Sequence, residues 1–424
     1  MGGNPGCRRR QGSPLPAAFL LGPRRQGSGG PGSVYEEDPR LFRQTGGDDS
    51  DLHPRCGVRS TFKPTADGAV PVTSRERFLA AVRGGSLDRV PVAPYCGNFG
   101  AVLAGIPISV YNTDPKKMAE AQIRAWEAVG QDVVVAQSDN YYIAEGFGCQ
   151  INQPVNTTPN LTAPAVESLD QVDRLKVPDP WKDGRMPVYL EAVALLREHF
   201  GNEVAVRAPG TGPFSLASYL VGGTTEFLTQ IALCEADEDR EKEEQIFRVM
   251  ELSSDALILF LKAALDTGSD TAQAGDSLAS LSMISPAIYE KYVYPWEVKV
   301  FSALAPAARE KAAVTILHIC GDTRKILPLM AKTGADVLEI DAKVELADAR
   351  ELAGPDISLM GNLEPTTVLF QGNPELVRKE SVRCIESVKG LEGGFILGSG
   401  CEVVPGTAAE NLKAMVDASR AISS

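Results

Sequence analysis

One histidine and two cysteines have types and positions that suit a metal ion. His318 and Cys320 lie in "LHICGDT" (317–323), and the chain has only three histidines in 424 residues. Cys401 ends a second apolar run, "GFILGSGC" (394–401). An imidazole and two thiolates are a common ligand set for Zn²⁺, and three protein ligands leave the fourth tetrahedral position open for a reacting group. The three residues therefore predict a catalytic zinc site.

Strand geometry supports the pair in the first stretch. Alternate residues of a strand project to one face and lie about 6.6 Å apart along the backbone, so His318 and Cys320 can bind one ion. A single buried cysteine is more often a small packing residue, and a single histidine a hydrogen-bonded polar group. The pair together with Cys401 favours the metal. We predict packing roles for the cysteines that lack such a partner, namely Cys96, Cys149, Cys234 and Cys384.

Composition and charge limit the class of protein and its partners. The chain is 43% hydrophobic and 23% charged, as in globular proteins with a large core. Its net charge of −13 argues against a nucleic-acid partner. Eight cysteines scattered without a dense framework indicate reduced thiols and a cytoplasmic location. Because no apolar stretch approaches the ~20 residues of a membrane span, we expect no membrane crossing.

The residues that would carry the chemistry must be positioned by the elements around them. Short apolar runs, several rich in β-branched residues, alternate with amphipathic segments, and the runs are 90–95, 132–139, 204–212, 271–276, 314–321, 337–342, 357–363 and 394–401. Eight strand–helix units predict a (β/α)8 TIM barrel over residues 74–424, in which reactive groups collect at the C-terminal strand ends. An open doubly wound sheet is the alternative.

Three helix starts have clear signals. Thr73 with Glu76 and Thr407 with Glu410 have the spacing of capping boxes, and Asp114 precedes a proline at the first helical position. We therefore expect an N-terminal cap at each of these positions.

Residues 1–70 differ in character from the rest of the chain. The first 35 residues are rich in Gly, Pro and Arg and contain no acidic residue. Such a segment cannot bury enough apolar surface to offset the entropy of ordering it. We predict a disordered extension, with an organelle-targeting peptide or a misassigned start codon as alternatives.

Several motifs resemble the uroporphyrinogen decarboxylase superfamily, which has a (β/α)8 fold. They are "APGTGPFSLASYLVGG", "LHICGDT", "GADVLEIDAKVELADARE", "MGNLEP" and "GSGCEVVPGTAAENLKAMVDA". Within the superfamily they are most similar to the zinc-dependent methyltransferases that act with corrinoid proteins, because His-x-Cys follows the fifth strand and Cys-Glu with a proline-containing turn follows the eighth. The resemblance spans residues 74–424.

This resemblance implies a function. A methyl group would pass between a corrinoid (cobalamin) carried by a partner protein and a small thiol, such as coenzyme M or homocysteine, or another methylated substrate. Zn²⁺ would be bound by His318, Cys320 and Cys401. The mouth of the barrel would then admit a partner protein, which predicts an exposed apolar rim. The direction of transfer stays open.

Two departures argue against the decarboxylase itself, which is the alternative function. No arginine lies between Arg89 and Arg124, where that enzyme carries arginines for the propionates of its tetrapyrrole. A substrate with many carboxylates needs fixed cations, so this lack argues against the decarboxylase. The second departure is Ser399, which stands where the decarboxylase has the histidine of a Gly-His-Gly motif. A non-catalytic metal-binding scaffold is a third hypothesis.

Further pocket residues are candidates for catalysis. The resemblance places Asp139, at the end of the second strand, and Tyr219 in the pocket, and Asp276 and Ser277 follow the fourth strand. Each could instead cap a helix or hold a loop.

Acidic residues near the predicted ligands are further candidate site residues. Glu339 and Asp341, on the sixth strand, could occupy the fourth zinc position until substrate displaces them, or could hydrogen-bond a ligand. Asp322, two residues after Cys320, could also contact a ligand.

Overall fold

A computed structural model describes residues 72–422, in which eight parallel strands alternate with helices. In chain order the strands are Val92–Tyr95; Val133–Val135; a third in two segments, Ala205–Arg207 and Pro209–Thr211; Thr271–Gly275; Val314–Ile319; Val337–Ile340; Ser358–Leu363; and Phe395–Glu402. Every predicted apolar run contains one of these strands, so all eight are confirmed.

Strand pairing closes the eight into a ring. Seven segments pair in parallel in the order first, eighth, seventh, sixth, fifth, fourth and second half of the third. The first half of the third strand pairs with the second strand. The backbone N–H of Asp132, beside the second strand, donates to the carbonyl of Val92 in the first at 2.8 Å. The predicted (β/α)8 barrel is confirmed, and the open sheet is wrong.

Helices of very different length connect the strands. The α-helices are Ser74–Arg83, Gly97–Leu103, Ile108–Tyr111, Pro115–Val129, Tyr142–Gly146, Met186–Phe200, Pro213–Leu220, Thr224–Asp237, Arg240–Asp266, Pro286–Tyr292, Tyr294–Glu310, Leu327–Met330, Leu346–Ala353, Pro374–Val388 and Ala409–Ile422. Shorter helical turns cover Leu169–Arg174, Ser277–Ala279 and Pro365–Phe370, and an antiparallel pair joins Gln150–Ile151 with Leu161–Ala163.

Two of the three predicted helix caps are present. Thr73 and Glu76 form a reciprocal capping box, and the Asp114 side chain accepts from two backbone N–H groups of the next helix. The third prediction is wrong. The last helix begins at Ala409, and Thr407 Oγ1 is buried without a hydrogen-bond partner. Thr407 instead belongs to the preceding turn, where its backbone N–H is already bonded.

Apolar packing fills the N-terminal end of the barrel. The helix Ser74–Arg83 lies at this end, and its Phe78 packs with Val314, Val337 and Ile396 from three strands. Val314 and Val337 are the first residues of their strands. Because this end is filled, the C-terminal end forms the mouth, as in other barrels of this class.

Some predictions fall outside the described residues. The extension predicted for residues 1–70 lies outside the described residues 72–422. Within 72–422 the six cysteines are free, and the four predicted to pack are buried. No helix of this described part is long and apolar enough to span a membrane.

Candidate metal centre

His318, Cys320 and Cys401 meet at the C-terminal mouth of the barrel. Their ligand atoms all lie within 4.8 Å of one another. Nε2 of His318 is 3.1 Å from Sγ of Cys320, which is 3.5 Å from Sγ of Cys401. Two sulfurs bound tetrahedrally to zinc at ~2.3 Å are about 3.8 Å apart. The three residues therefore fit one divalent ion with little rearrangement, and no fourth ligand from residues 72–422 joins them.

The strand register explains why residues far apart in the chain meet. His318 pairs with Gly275 of the fourth strand and Glu339 of the sixth. Cys401 lies on the eighth strand, three places round the ring. Because parallel strands of a barrel end at one face, thiols that follow the fifth and eighth strands converge across the mouth.

The other ring nitrogen of His318 faces Glu339. Nδ1 lies 3.2 Å from the backbone oxygen of Glu339 and 3.4 Å from its Oε2. Such a contact favours a proton on Nδ1 and leaves Nε2, beside the cysteine, free to bind a metal. Burial opposes the charged imidazole, but the negative charges of Cys320 and Glu339 raise the pKa of His318 to about 9. Metal binding would therefore release a proton.

Sγ of Cys320 and Sγ of Cys401 lie within hydrogen-bond distance of each other, at 3.5 Å. Contact with Cys401, with His318 nearby, lowers the pKa of Cys320 to about 3. The same contact, reinforced by burial, raises the pKa of Cys401. The Ser277 hydroxyl lies 3.3 Å from Sγ of Cys320. A half-buried thiolate held in this way is prepared for a divalent cation.

A cavity of about 200 Å³ opens beside the centre. It is bordered by His318 and Cys401 and lined further by residues that include Tyr95, Gln137, Asp139, Tyr141, Ser277, Glu339 and Glu402. No lysine or arginine of the described chain is among the lining residues. Pockets for drug-sized ligands measure about 300–1,000 Å³, so this cavity accommodates only a small molecule.

Asp139 lines the cavity, but its charge is already compensated. Both of its oxygens accept from Arg185, at 2.7 and 3.0 Å, and the Tyr189 hydroxyl donates at 3.1 Å. The backbone N–H of Tyr141 is a further donor at 2.8 Å. These donors fix the position of the carboxylate. Asp139 therefore shapes the wall of the cavity.

Two other predicted residues do not line the cavity. The buried carboxylate of Asp276 accepts from two backbone N–H groups in the first turn of the helix Pro213–Leu220, at 3.0 and 2.6 Å. Asp276 therefore caps that helix. The ring of Tyr219 packs against Tyr141, 4.9 Å between centroids, and Tyr141 lines the cavity. Tyr219 supports a wall residue.

Glu339 is half of an ion pair inside the barrel. Its Oε2 accepts from Arg207 at 2.5 Å, and the two side chains are 3% and 2% exposed. Its Oε1 is buried and has no hydrogen-bond partner. Glu339 is thus the carboxylate that the structure places against His318.

The remaining predicted acids hold loops. Asp341 accepts from the backbone N–H of Gly321 at 2.8 Å, which fixes the turn after Cys320. Asp322 pairs with the exposed Arg324 at 2.5 Å. Neither carboxylate belongs to the group of possible ligands that the described residues form.

The sequence analysis missed Glu402 as a site residue. It follows Cys401 and lines the cavity, where its Oε1 accepts from the backbone N–H and the amide of Asn98 at 3.0 and 3.3 Å. Burial raises the pKa of Glu402 to about 7. The available signal was an acidic residue directly after a predicted ligand at a strand end.

Comparison with known proteins gives a consistent result. The family model described as uroporphyrinogen decarboxylase (URO-D) matches residues 73–422. The methylcobamide:CoM methyltransferase MtbA of Methanosarcina mazei is 30% identical over 353 residues, which cover 82% of this chain and 98% of the relative. A uroporphyrinogen decarboxylase of Trichlorobacter lovleyi is 28% identical over 352 residues, covering 80% and 97%. A solved methyltransferase from Methanosarcina mazei matches with a TM-score of 0.74 at 27% identity, covering 84% of this chain and 100% of the other.

Proposed function

Because this chain belongs to the uroporphyrinogen decarboxylase family, we propose that it is a zinc-dependent methyltransferase. It moves a methyl group between the corrinoid of a partner protein and a small thiol or methylated substrate. The observation that carries the proposal is the convergence of His318, Cys320 and Cys401 within 4.8 Å, without a fourth protein ligand from the described residues. Relatives named for this activity support the proposal.

The donor set suits zinc. One nitrogen and two sulfurs match catalytic zinc sites, in which a fourth position stays open. When bound, the ion would keep a small thiol in its thiolate form, which is the nucleophilic form. Glu339 orients His318, and the Ser277 hydroxyl holds Cys320.

The size of the cavity supports different places for the two proposed substrates. A space of about 200 Å³ accepts the small substrate, whereas a corrinoid is too large to enter it. A partner protein would therefore present the methyl carbon from outside the mouth. Exposed apolar side chains on segments that follow C-terminal strand ends are Val155, Met283 and Phe370, which are 60%, 45% and 40% exposed. They are candidates for the predicted rim.

The decarboxylase is the second candidate, because relatives of that name are 28% identical. The cavity argues against it. A tetrapyrrole with many carboxylates requires fixed cations, and the described lining contains acids but no lysine or arginine. Ser399, at the position of the decarboxylase histidine, is fully buried, and its hydroxyl accepts from the backbone N–H of Tyr95 at 2.9 Å.

Metal analysis of the purified full chain tests the proposal. We expect about one zinc per chain, lost in Cys320→Ser and in Cys401→Ser. Cys384→Ser is the matched control, because Cys384 is a fully buried free thiol bonded to Asn362. It should keep its zinc.

Activity is measured with methylcobalamin and a panel of thiols, by following the loss of the cobalt–methyl absorbance. Full zinc retention in both ligand variants would contradict the proposal. Formation of coproporphyrinogen by the metal-stripped protein would favour the decarboxylase instead. A scaffold protein would show no change in the spectrum of a cobalt-substituted site on adding any thiol.

A further inference from the structure

No lysine or arginine of the described residues lines the cavity beside the metal centre. Two arginines lie near it, and both are bound by carboxylates. Arg185 bonds to Asp139 and, at 2.6 Å, to Glu145, and its side chain is 8% exposed. Arg207 bonds to Glu339 and to Gln273, each at 2.5 Å, and is 2% exposed. Both guanidinium groups are buried, and neither is among the residues that line the cavity.

The same wall carries hydrogen-bond acceptors without donors. Oε1 of Gln137 and Oε1 of Glu339 are buried and have no partner, and both residues line the cavity. The orientation of Gln137 is fixed, because its amide nitrogen donates to the backbone oxygen of Asp139 at 2.6 Å and to Asn140 at 3.2 Å. A buried acceptor without a donor costs free energy, but neither oxygen has surface exposed to the cavity, so a ligand would reach them only after these side chains move.

Glu402 adds a carboxylate without a counter-ion. Its only protein partners in the described part of the chain are the two N–H donors of Asn98, and no lysine or arginine pairs with it there. Glu402 follows Cys401 directly, so this carboxylate lies beside the metal centre. A cationic group on a ligand held there would meet a charge of opposite sign that the protein leaves unpaired.

From these contacts we propose that the small substrate carries a protonated amine a few bonds from its sulfur, and that Glu402 selects it against anionic thiols. The inference rests on the proposed function and names the substrate class of that site. It separates this chain from its relatives named for coenzyme M, a thiol with an anionic sulfonate.

Three thiols of equal length test this proposal. Cysteamine, 2-mercaptoethanol and 2-mercaptoethanesulfonate share a two-carbon chain and carry a cationic, a neutral and an anionic head. Binding to the zinc-loaded full chain is measured at pH 8 by calorimetry, and zinc content is checked after each titration. We expect cysteamine to bind at least about tenfold more tightly than the sulfonate, with the alcohol between them, as for one charge-assisted hydrogen bond.

A conservative variant identifies the selecting residue. Glu402→Gln keeps an acceptor for Asn98 and removes the charge, so it should weaken cysteamine binding about tenfold and narrow the gap to the sulfonate. Glu392→Gln, on an exposed loop before the eighth strand, is the control and should change neither value.

The outcomes separate this inference from the proposed function. Equal or tighter binding of the sulfonate, an unchanged ranking in Glu402→Gln, or no binding of cysteamine would overturn the inference, even where zinc and methyl transfer are present. A protein without zinc and without methyl transfer to any thiol would instead remove the proposed function.

Discussion

Replacing Arg207 by methionine tests whether the ion pair inside the barrel supports the metal centre. Arg207 and Glu339 are 2% and 3% exposed and are joined at 2.5 Å. Arg207 also bonds to Gln273, and its guanidinium lies 4.6 Å from the ring centroid of Tyr95. Methionine fills part of the volume and removes the charge. The variant leaves Glu339 buried, without its cation and next to His318.

The expected loss of stability is large. Breaking a buried ion pair by removing one partner costs about 3–5 kcal/mol, because the remaining charge has no compensation. The contact with Tyr95 contributes about 0.5–2 kcal/mol, and part of it persists with a methionine. We therefore expect the free energy of unfolding to fall by about 3–5 kcal/mol. Zinc affinity should fall about 10–100-fold, because Glu339 loses the partner that fixes its carboxylate beside Nδ1 of His318.

The double variant Arg207→Met/Glu339→Met separates the two effects. Replacing both members of a buried pair by apolar residues of similar volume is often neutral, so most of the stability should return. Zinc affinity should not, since the carboxylate behind His318 is absent. Arg324→Met is the surface control. Its pair with Asp322 is about half exposed, so the loss should stay below about 1 kcal/mol.

Urea unfolding of the metal-free full chain, followed by circular dichroism, gives the stabilities, and competition with a chelator gives the zinc affinities. A loss below about 1 kcal/mol in Arg207→Met, or a double variant as unstable as the single one, would refute the argument that this pair is energetically coupled. Unchanged zinc affinity in both variants would refute the role assigned to Glu339.

Two further predictions concern buried acids outside the centre. Glu297 is fully buried with Oε1 unpaired, and burial raises its pKa well above the ordinary value of 4.5. The free energy of unfolding should therefore keep the full contribution of this group below pH 4.5. It should fall as pH rises toward the folded-state pKa, by up to about 1.4 kcal/mol per pH unit. Glu297→Gln should flatten the stability difference between pH 5 and pH 8, and equal slopes in both proteins would contradict this. Asp276→Asn leaves one acceptor for the two backbone N–H groups that Asp276 now satisfies, so the free energy of unfolding at pH 7 should fall by about 1–3 kcal/mol. An unchanged unfolding midpoint would show that the helix does not depend on this cap.

The barrel could be predicted because its signal is local and repeated. Each strand is a short apolar run with polar or glycine-rich flanks, and helical segments separate the runs. The predicted run 204–212 contains a strand interrupted at Ala208, which pairs with one neighbour before the break and with the other after it. Periodicity cannot show such a break, because the apolar pattern continues through it.

Positions of caps and ligands were predictable to different degrees. His318 and Cys320 are two residues apart, so strand geometry alone brings them together. The place of Cys401 in the site could be predicted only from the barrel fold, because closure of the ring brings the eighth strand near the fifth. The cap predicted at Thr407 is wrong because the helix begins one residue later than the capping box requires. The start of a helix depends on where the preceding turn ends.

The acids show why sequence position does not identify a reactive carboxylate. Asp276 and Glu402 lie at strand ends and Asp139 lies a few residues beyond one, yet the sequence analysis selected Asp139 and Asp276 and missed Glu402. Asp139 is bound by Arg185, 46 residues away, and Asp276 by backbone N–H groups about 60 residues away. Asp276 and Glu402 both accept from neutral N–H groups and pair with no cation, but Glu402 lines the cavity and Asp276 does not. The number, charge and place of distant partners determine whether a carboxylate stabilises the fold or remains available to a ligand. In this barrel the acid that lines the cavity without a cationic partner lies beside the sulfur ligands, where a substrate must enter.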